Sequence, residues 1–164
     1  MKVSVLSNKQ KKPQKRKKRV FKVIHVKSWR DIPCPPPKDS TLRGYSNPKT
    51  GTIYLVPGET KATEEHEKFH SIKRHPDFPR TYKTYIDHEL EAWEYSWKKT
   101  GLGRHMKGTI ASLFNNCLPT YIKNKQVTPH RVMHYIGWKI NHLDMPDTWK
   151  EDYREVLKDF NTKY

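Results

Sequence analysis

The chain has 164 residues, of which 34% are apolar and 12% aromatic, and its formal net charge is +16. That length suits one compact domain with its own core and is short for two of ordinary size. No apolar run approaches the roughly 18 residues of a membrane span. The positive N-terminus has no apolar stretch of a secretory signal behind it, so neither a membrane nor a secreted setting is expected.

Residues 1–19 hold nine Lys or Arg and no acid. Like charges at this density repel, and the arm is expected to be disordered. Lys11, Lys12, Lys15, Arg16, Lys17, Lys18 and Arg19 are its candidates for phosphate contacts, each able to release a counterion from nucleic acid. The same run also fits a nuclear-import-like address or a solubilising tail. The other 24 basic residues still outnumber the 17 acids, so residues 20–164, read as the folded domain, are themselves basic.

Residues 19–29 alternate like a strand. A proline-rich loop follows and contains Cys34. Residues 45–56 read as a hairpin, with Asn47-Pro48 and Gly51 in the turn and Thr52–Val56 as the second strand. As an edge, that strand would accept an extended peptide by strand addition. From Thr60 the pattern becomes helical, with Glu64 and Glu65 in the first turn and His75-Pro76 as the stop. A second helix is expected over about 83–99, ending at Gly101, with Ile86, Leu90, Trp93 and Trp97 as its apolar stripe. A third covers about 109–118 and stops at Pro119. A fourth opens at Thr128-Pro129 and a fifth at Asp147. The whole reads as an α+β fold, a short twisted sheet with a helical body. Cys34 and Cys117 are far apart and make neither a disulfide framework nor a zinc knuckle. A reducing, cytoplasmic setting is expected, or a nuclear one in a eukaryotic cell.

The chemistry concentrates at His66-Glu67-Lys68-Phe69-His70. On a helix, positions i and i+4 share a face, so both imidazoles can meet one zinc ion at about 2.0–2.1 Å. Glu67, beside that face, can take a proton from a zinc-bound water. In a chain this rich in His and Glu the pattern arises by chance roughly 3 times in 100, so it needs a third ligand. The second helix offers Glu91 and, as a rival, His88; His88, Glu91 and Tyr95 share a face roughly opposite the apolar stripe. Whichever of these is spare would steady a transition state or a ligand, as would the phenol of Tyr95. His75 lies too close to the helix stop to serve as the third ligand. Tyr82 and Tyr85 are further phenols within reach of an oxyanion, and His130 and His134 form an i, i+4 pair without a third partner.

The run from Gly51-Thr52-Ile53-Tyr54-Leu55-Val56 through His66–His70 to Glu91-Ala92-Trp93-Glu94-Tyr95 resembles the ImmA/IrrE-type, gluzincin-like zinc metallopeptidases. In that family a β-run precedes H-E-x-x-H and an E-A-x-x-F motif follows. Tyr95 takes the aromatic place, and Phe69 stands where glycine is usual. The resemblance covers about residues 50–97. It implies a zincin-like fold, a zinc cofactor, His66, His70 and Glu91 as ligands, Glu67 as general base, and a protein substrate, which could be a regulatory protein such as a repressor. Three other readings stay open: a SprT/Spartan-like protease acting on DNA-bound protein, with His88 as third ligand; a non-catalytic, basic nucleic-acid-binding protein; and a structural zinc site closed by both His88 and Glu91.

Overall fold

The computed structural model describes residues 20–33, 43–76, 79–102, 105–125 and 127–164. The basic arm with its seven candidate phosphate-contacting residues lies outside this set, as does Cys34. Among the described residues the fold is mixed α+β, with a three-stranded sheet and five α-helices.

Strands β1 (Lys22–His25), β2 (Gly44–Asn47) and β3 (Thr52–Leu55) pair in the order β1-β3-β2. β2 and β3 form the expected hairpin. Asn47 Oδ1 accepts from the Lys49 and Thr50 amides in its turn, and Gly51 completes it at φ +70°, where a side chain would be strained. β3 is the central strand, parallel to β1 and antiparallel to β2. It therefore offers no edge to a peptide, contrary to the expectation from sequence. Pairing explains the difference: the hairpin covers one edge of β3 with β2, and β1, brought in from earlier in the chain, pairs in parallel along the other.

The helices are α1 (Lys61–Lys73), α2 (Tyr82–Thr100), α3 (Met106–Cys117), α4 (Pro129–His142) and α5 (Asp147–Lys163). Gly101 ends α2 at φ 64°, and the Thr128 hydroxyl caps α4 by accepting from the Arg131 amide. β1 is shorter than the 19–29 run read from sequence, since Trp29–Asp31 form a 3-10 turn capped by Ser28, and two helix boundaries also differ. α3 starts at Met106 because its amide donates to the Asp152 carboxylate of α5 at 2.6 Å, a cap supplied by a residue 46 positions away. Nor does the chain stop at Pro119. It widens into a π-helical turn, Leu118–Ile122, closed by the Lys123 amide on the Leu118 carbonyl, and Pro119 sits at its start, where its missing N–H leaves nothing unpaired.

The main core lies among α2, α3, α4 and α5, where Ile86, Leu90, Ile110, Val132, Ile136 and Ile140 are fully buried. Cys117 belongs to it, and burial pushes its thiol up to about 12, which makes it a core residue rather than a nucleophile. α1 lies between the sheet and α2. It is tied to α2 by the buried Ser96 hydroxyl, which donates to the Ala62 carbonyl at 2.6 Å. Among the described residues no helix is long and apolar enough to cross a membrane.

Candidate metal centre

α1 and α2 run antiparallel, with Ala62 beside Ser96 and His66 against Trp93, their rings 4.1 Å apart. One turn further along α1, His70 comes level with Glu89, one turn back along α2. The two helices thus bring together His66 Nε2, His70 Nε2 and the Glu89 carboxylate. The imidazole nitrogens are 3.0 Å apart. Glu89 Oε2 is 3.4 Å from His66 Nε2, and Oε1 is 3.5 Å from His70 Nε2. Among the described residues no other set of three or more His, Cys, Asp or Glu converges this way.

These spacings fit a metal. Ligands at about 2.0–2.1 Å in a tetrahedron stand roughly 3.3 Å from one another, and the three separations bracket that value. The donor types, two imidazoles and one carboxylate, suit zinc. His66 is buried, and its Nδ1 has no hydrogen-bond partner among the described residues. Burial pushes His70 down to about 3, so it is the neutral imidazole that ligation requires. For Glu89, burial alone would raise the carboxyl, but the neighbouring His70 and His66 outweigh it and hold the group at about 2, ionised.

The carboxylate that converges with the two histidines is Glu89, two residues before the expected Glu91. Glu91 does not join the histidines. It turns toward α4, where Lys139 Nζ donates to Glu91 Oε1 at 2.5 Å and to Asp87 Oδ1 at 3.1 Å. The cause lies in the sides of α2. The ligand was sought opposite the apolar stripe, but α1 packs against the border of that stripe, on the Glu89, Ala92, Trp93 and Ser96 side. Ala92 and Ser96, small residues at i+3 and i+7 from Glu89, are the signal that could have located it.

His88 also lies outside the triad. Its ring stacks on His75 with centroids 3.6 Å apart and planes 2° from parallel. His75 in turn sits behind His70, their Nδ1 atoms 3.0 Å apart. Arg74, in the left-handed region at φ 56°, folds the chain back so that the His75 amide donates to the His70 carbonyl. Burial lowers His75 to about 4, keeping it neutral as well. One imidazole of the pair therefore donates to the other, the kind of outer contact that fixes a ligating histidine.

Glu67 lies against β2, where an added Cβ on Gly44 would stand 2.9 Å from Glu67 Cγ. Tyr95 is not beside the triad; its ring meets Phe69 at 5.0 Å and lines a separate cleft with Glu91, Glu94 and Lys98. Tyr85, one turn before Glu89, has its hydroxyl accepting from Asn116 Nδ2, and burial followed by Glu89 raises it further from ionisation. Tyr82 packs with Tyr121 and Tyr135.

No protein-family model, no curated protein and no solved structure matches this chain.

Proposed function

We propose that the chain is a zincin-like, zinc-dependent endopeptidase similar to the ImmA/IrrE-type enzymes, acting on a protein substrate. The observation that carries this reading is the convergence of His66 Nε2, His70 Nε2 and Glu89 on separations of 3.0–3.5 Å, with Glu67 next in sequence to a ligand. His66, His70 and Glu89 would hold the metal. Zinc, when bound, supplies a Lewis acid that polarises the scissile carbonyl and makes an attached water acidic near pH 7.

The remaining work falls to the protein. Glu67 takes a proton from the attacking water and returns it to the amide nitrogen as the peptide C–N bond breaks. Gly44 leaves room for the Glu67 side chain against β2. β2 is an edge of the sheet and packs against α1, so an extended substrate pairing with β2 would lie beside Glu67. His75 keeps the His70 ring in one orientation.

The test is zinc content together with proteolysis. The purified 164-residue chain is expected to carry about one zinc per chain by elemental mass spectrometry. Glu67→Gln should keep the zinc and lose cleavage of an unstructured protein such as casein by at least 100-fold. Absence of zinc uptake by folded protein would overturn the metal reading. Zinc uptake with equal cleavage by wild type and Glu67→Gln would overturn the catalytic one.

A further inference from the structure

Around α2 from the metal centre, on the side that faces α4, a second set of residues converges. Tyr82 and Lys83 from the first turn of α2 meet His130, Arg131, His134 and Tyr135 from α4 across an open cleft of about 460 Å³. Among the described residues no carboxylate lines it. The nearby acids are engaged elsewhere: Asp87 accepts from Tyr135 and pairs with Lys139, and Glu91 pairs with Lys139. Among the described residues, Lys83 and Arg131 have no carboxylate within ion-pair distance. The Lys83 ammonium lies 5.2 Å from the centre of the Tyr135 ring.

The cleft continues into an aromatic row. α4 contains no acid, and its inward face is the apolar set Val132, Met133, Ile136 and Ile140. Its outward face carries His130, His134, Trp138 and His142 at spacings of four, all exposed. Trp138 is 46% exposed and continues the row of rings that begins in the cleft. Tyr135 stacks on Trp138 with ring centroids 5.4 Å apart, and the His142 ring lies 4.2 Å from that of Trp138. A row of rings on α4 thus leads to a cleft that holds the unneutralised Lys83 and Arg131, and the positive end of the helix opens there.

We propose that this face binds single-stranded nucleic acid, with phosphates at Lys83 and Arg131 and bases stacking along Tyr135 and Trp138. The proposal does not depend on the metal reading. Charge complementarity selects a polyanion: the cleft is cationic, and the body of the chain keeps an excess of basic residues without the arm. The rings select a single strand over a duplex, because a duplex hides its base faces, whereas an unstacked base can stack on an aromatic platform. An acidic peptide would use the cations and leave the rings idle.

The experiment uses the full chain, fluorescein-labelled oligo(dT) and anisotropy between about 50 and 200 mM salt. The double variant Lys83→Ala/Arg131→Ala is expected to bind at least tenfold more weakly, and its log K against log salt should flatten by about 1.4, at about 0.7 per phosphate contact on a single strand. Trp138→Ala is expected to weaken oligo(dT) about fivefold or more and leave binding to a duplex of the same length and to heparin unchanged. The three side chains are exposed, so thermal melts should match wild type and report folding directly. Wild-type affinity for oligo(dT) in both variants would overturn the proposal and assign any binding to the arm. Loss in the double variant with no effect of Trp138→Ala would also overturn it, leaving a general polyanion surface.

Discussion

The Nδ1 atoms of His70 and His75 lie 3.0 Å apart, held there by a left-handed turn at Arg74 and by the hydrogen bond from the His75 amide to the His70 carbonyl. A ligating imidazole fixed through its other nitrogen binds metal in one tautomer and one orientation. His75→Ala should therefore weaken zinc affinity by about 10- to 100-fold without unfolding the chain. Competition against a zinc-binding dye measures this. His75→Asn, which keeps a hydrogen-bonding group, should recover part of the loss. Unchanged zinc affinity in His75→Ala would show that the contact does not support the ligand.

Glu89 and Glu91 stand two residues apart on α2 and face different partners. Glu89→Gln should cost zinc binding, because it removes a negative ligand. Glu91→Gln should leave zinc content unchanged and instead weaken the tie from α2 to Lys139 of α4. Elemental analysis of the two variants side by side separates these outcomes, and loss of zinc in Glu91→Gln alone would restore the ligand expected from sequence.

Gly44 is the point where β2 approaches Glu67. A methyl group there meets Glu67 Cγ at 2.9 Å and must push the side chain aside. Gly44→Ala should keep one zinc per chain and lower peptide hydrolysis about tenfold or more, since a displacement of about 1 Å can cost 10²-fold. Full activity in the variant would mean that the position of Glu67 against β2 is immaterial.

Gly137 places the backbone of α4 against the Tyr153 ring of α5, and an added Cβ would fall 2.2 Å from that ring. Tyr153 also donates to the Met133 carbonyl at 3.2 Å. Gly137→Ala should destabilise the fold by about 1–3 kcal/mol despite the better helix propensity of alanine. Urea melts read the difference, and a stabilised variant would show that α5 can move away at little cost.

Acid should unfold the metal-free protein by way of two half-buried imidazoles. His70 is lowered to about 3 and His75 to about 4, chiefly by burial, against an ordinary value of about 6.5. Below about pH 6.5 the unfolded chain takes up these protons while the folded chain does not. Stability is then complete above that pH and falls as pH drops toward the folded values. Melting temperatures of chelator-treated protein between pH 7.5 and 4 should fall. The slope should be shallower in His70→Ala/His75→Ala, and an identical slope would place the acid sensitivity elsewhere.

Much of the fold was legible in the sequence because its signals are local. The Asn47–Gly51 turn, the Thr128 cap, the Gly101 stop and the apolar spacing of α2 and α4 each act within a few residues. H-E-x-x-H placed two imidazoles on one helix face because helical geometry alone dictates it. Tertiary structure decided the rest. The start of α3 is set by Asp152, 46 residues away, and the centrality of β3 by its pairing with β1. The partner of the two histidines followed from how α1 rotates against α2. The Ser96 to Ala62 hydrogen bond and the His66–Trp93 contact fix that rotation, and they present Glu89 to the histidines while Glu91 faces Lys139. Successive helical residues differ by about 100° in direction, so a two-residue difference sends a carboxylate to the other side of the helix. Sequence spacing specifies that angle only relative to the helix itself, and packing fixes it relative to a neighbour.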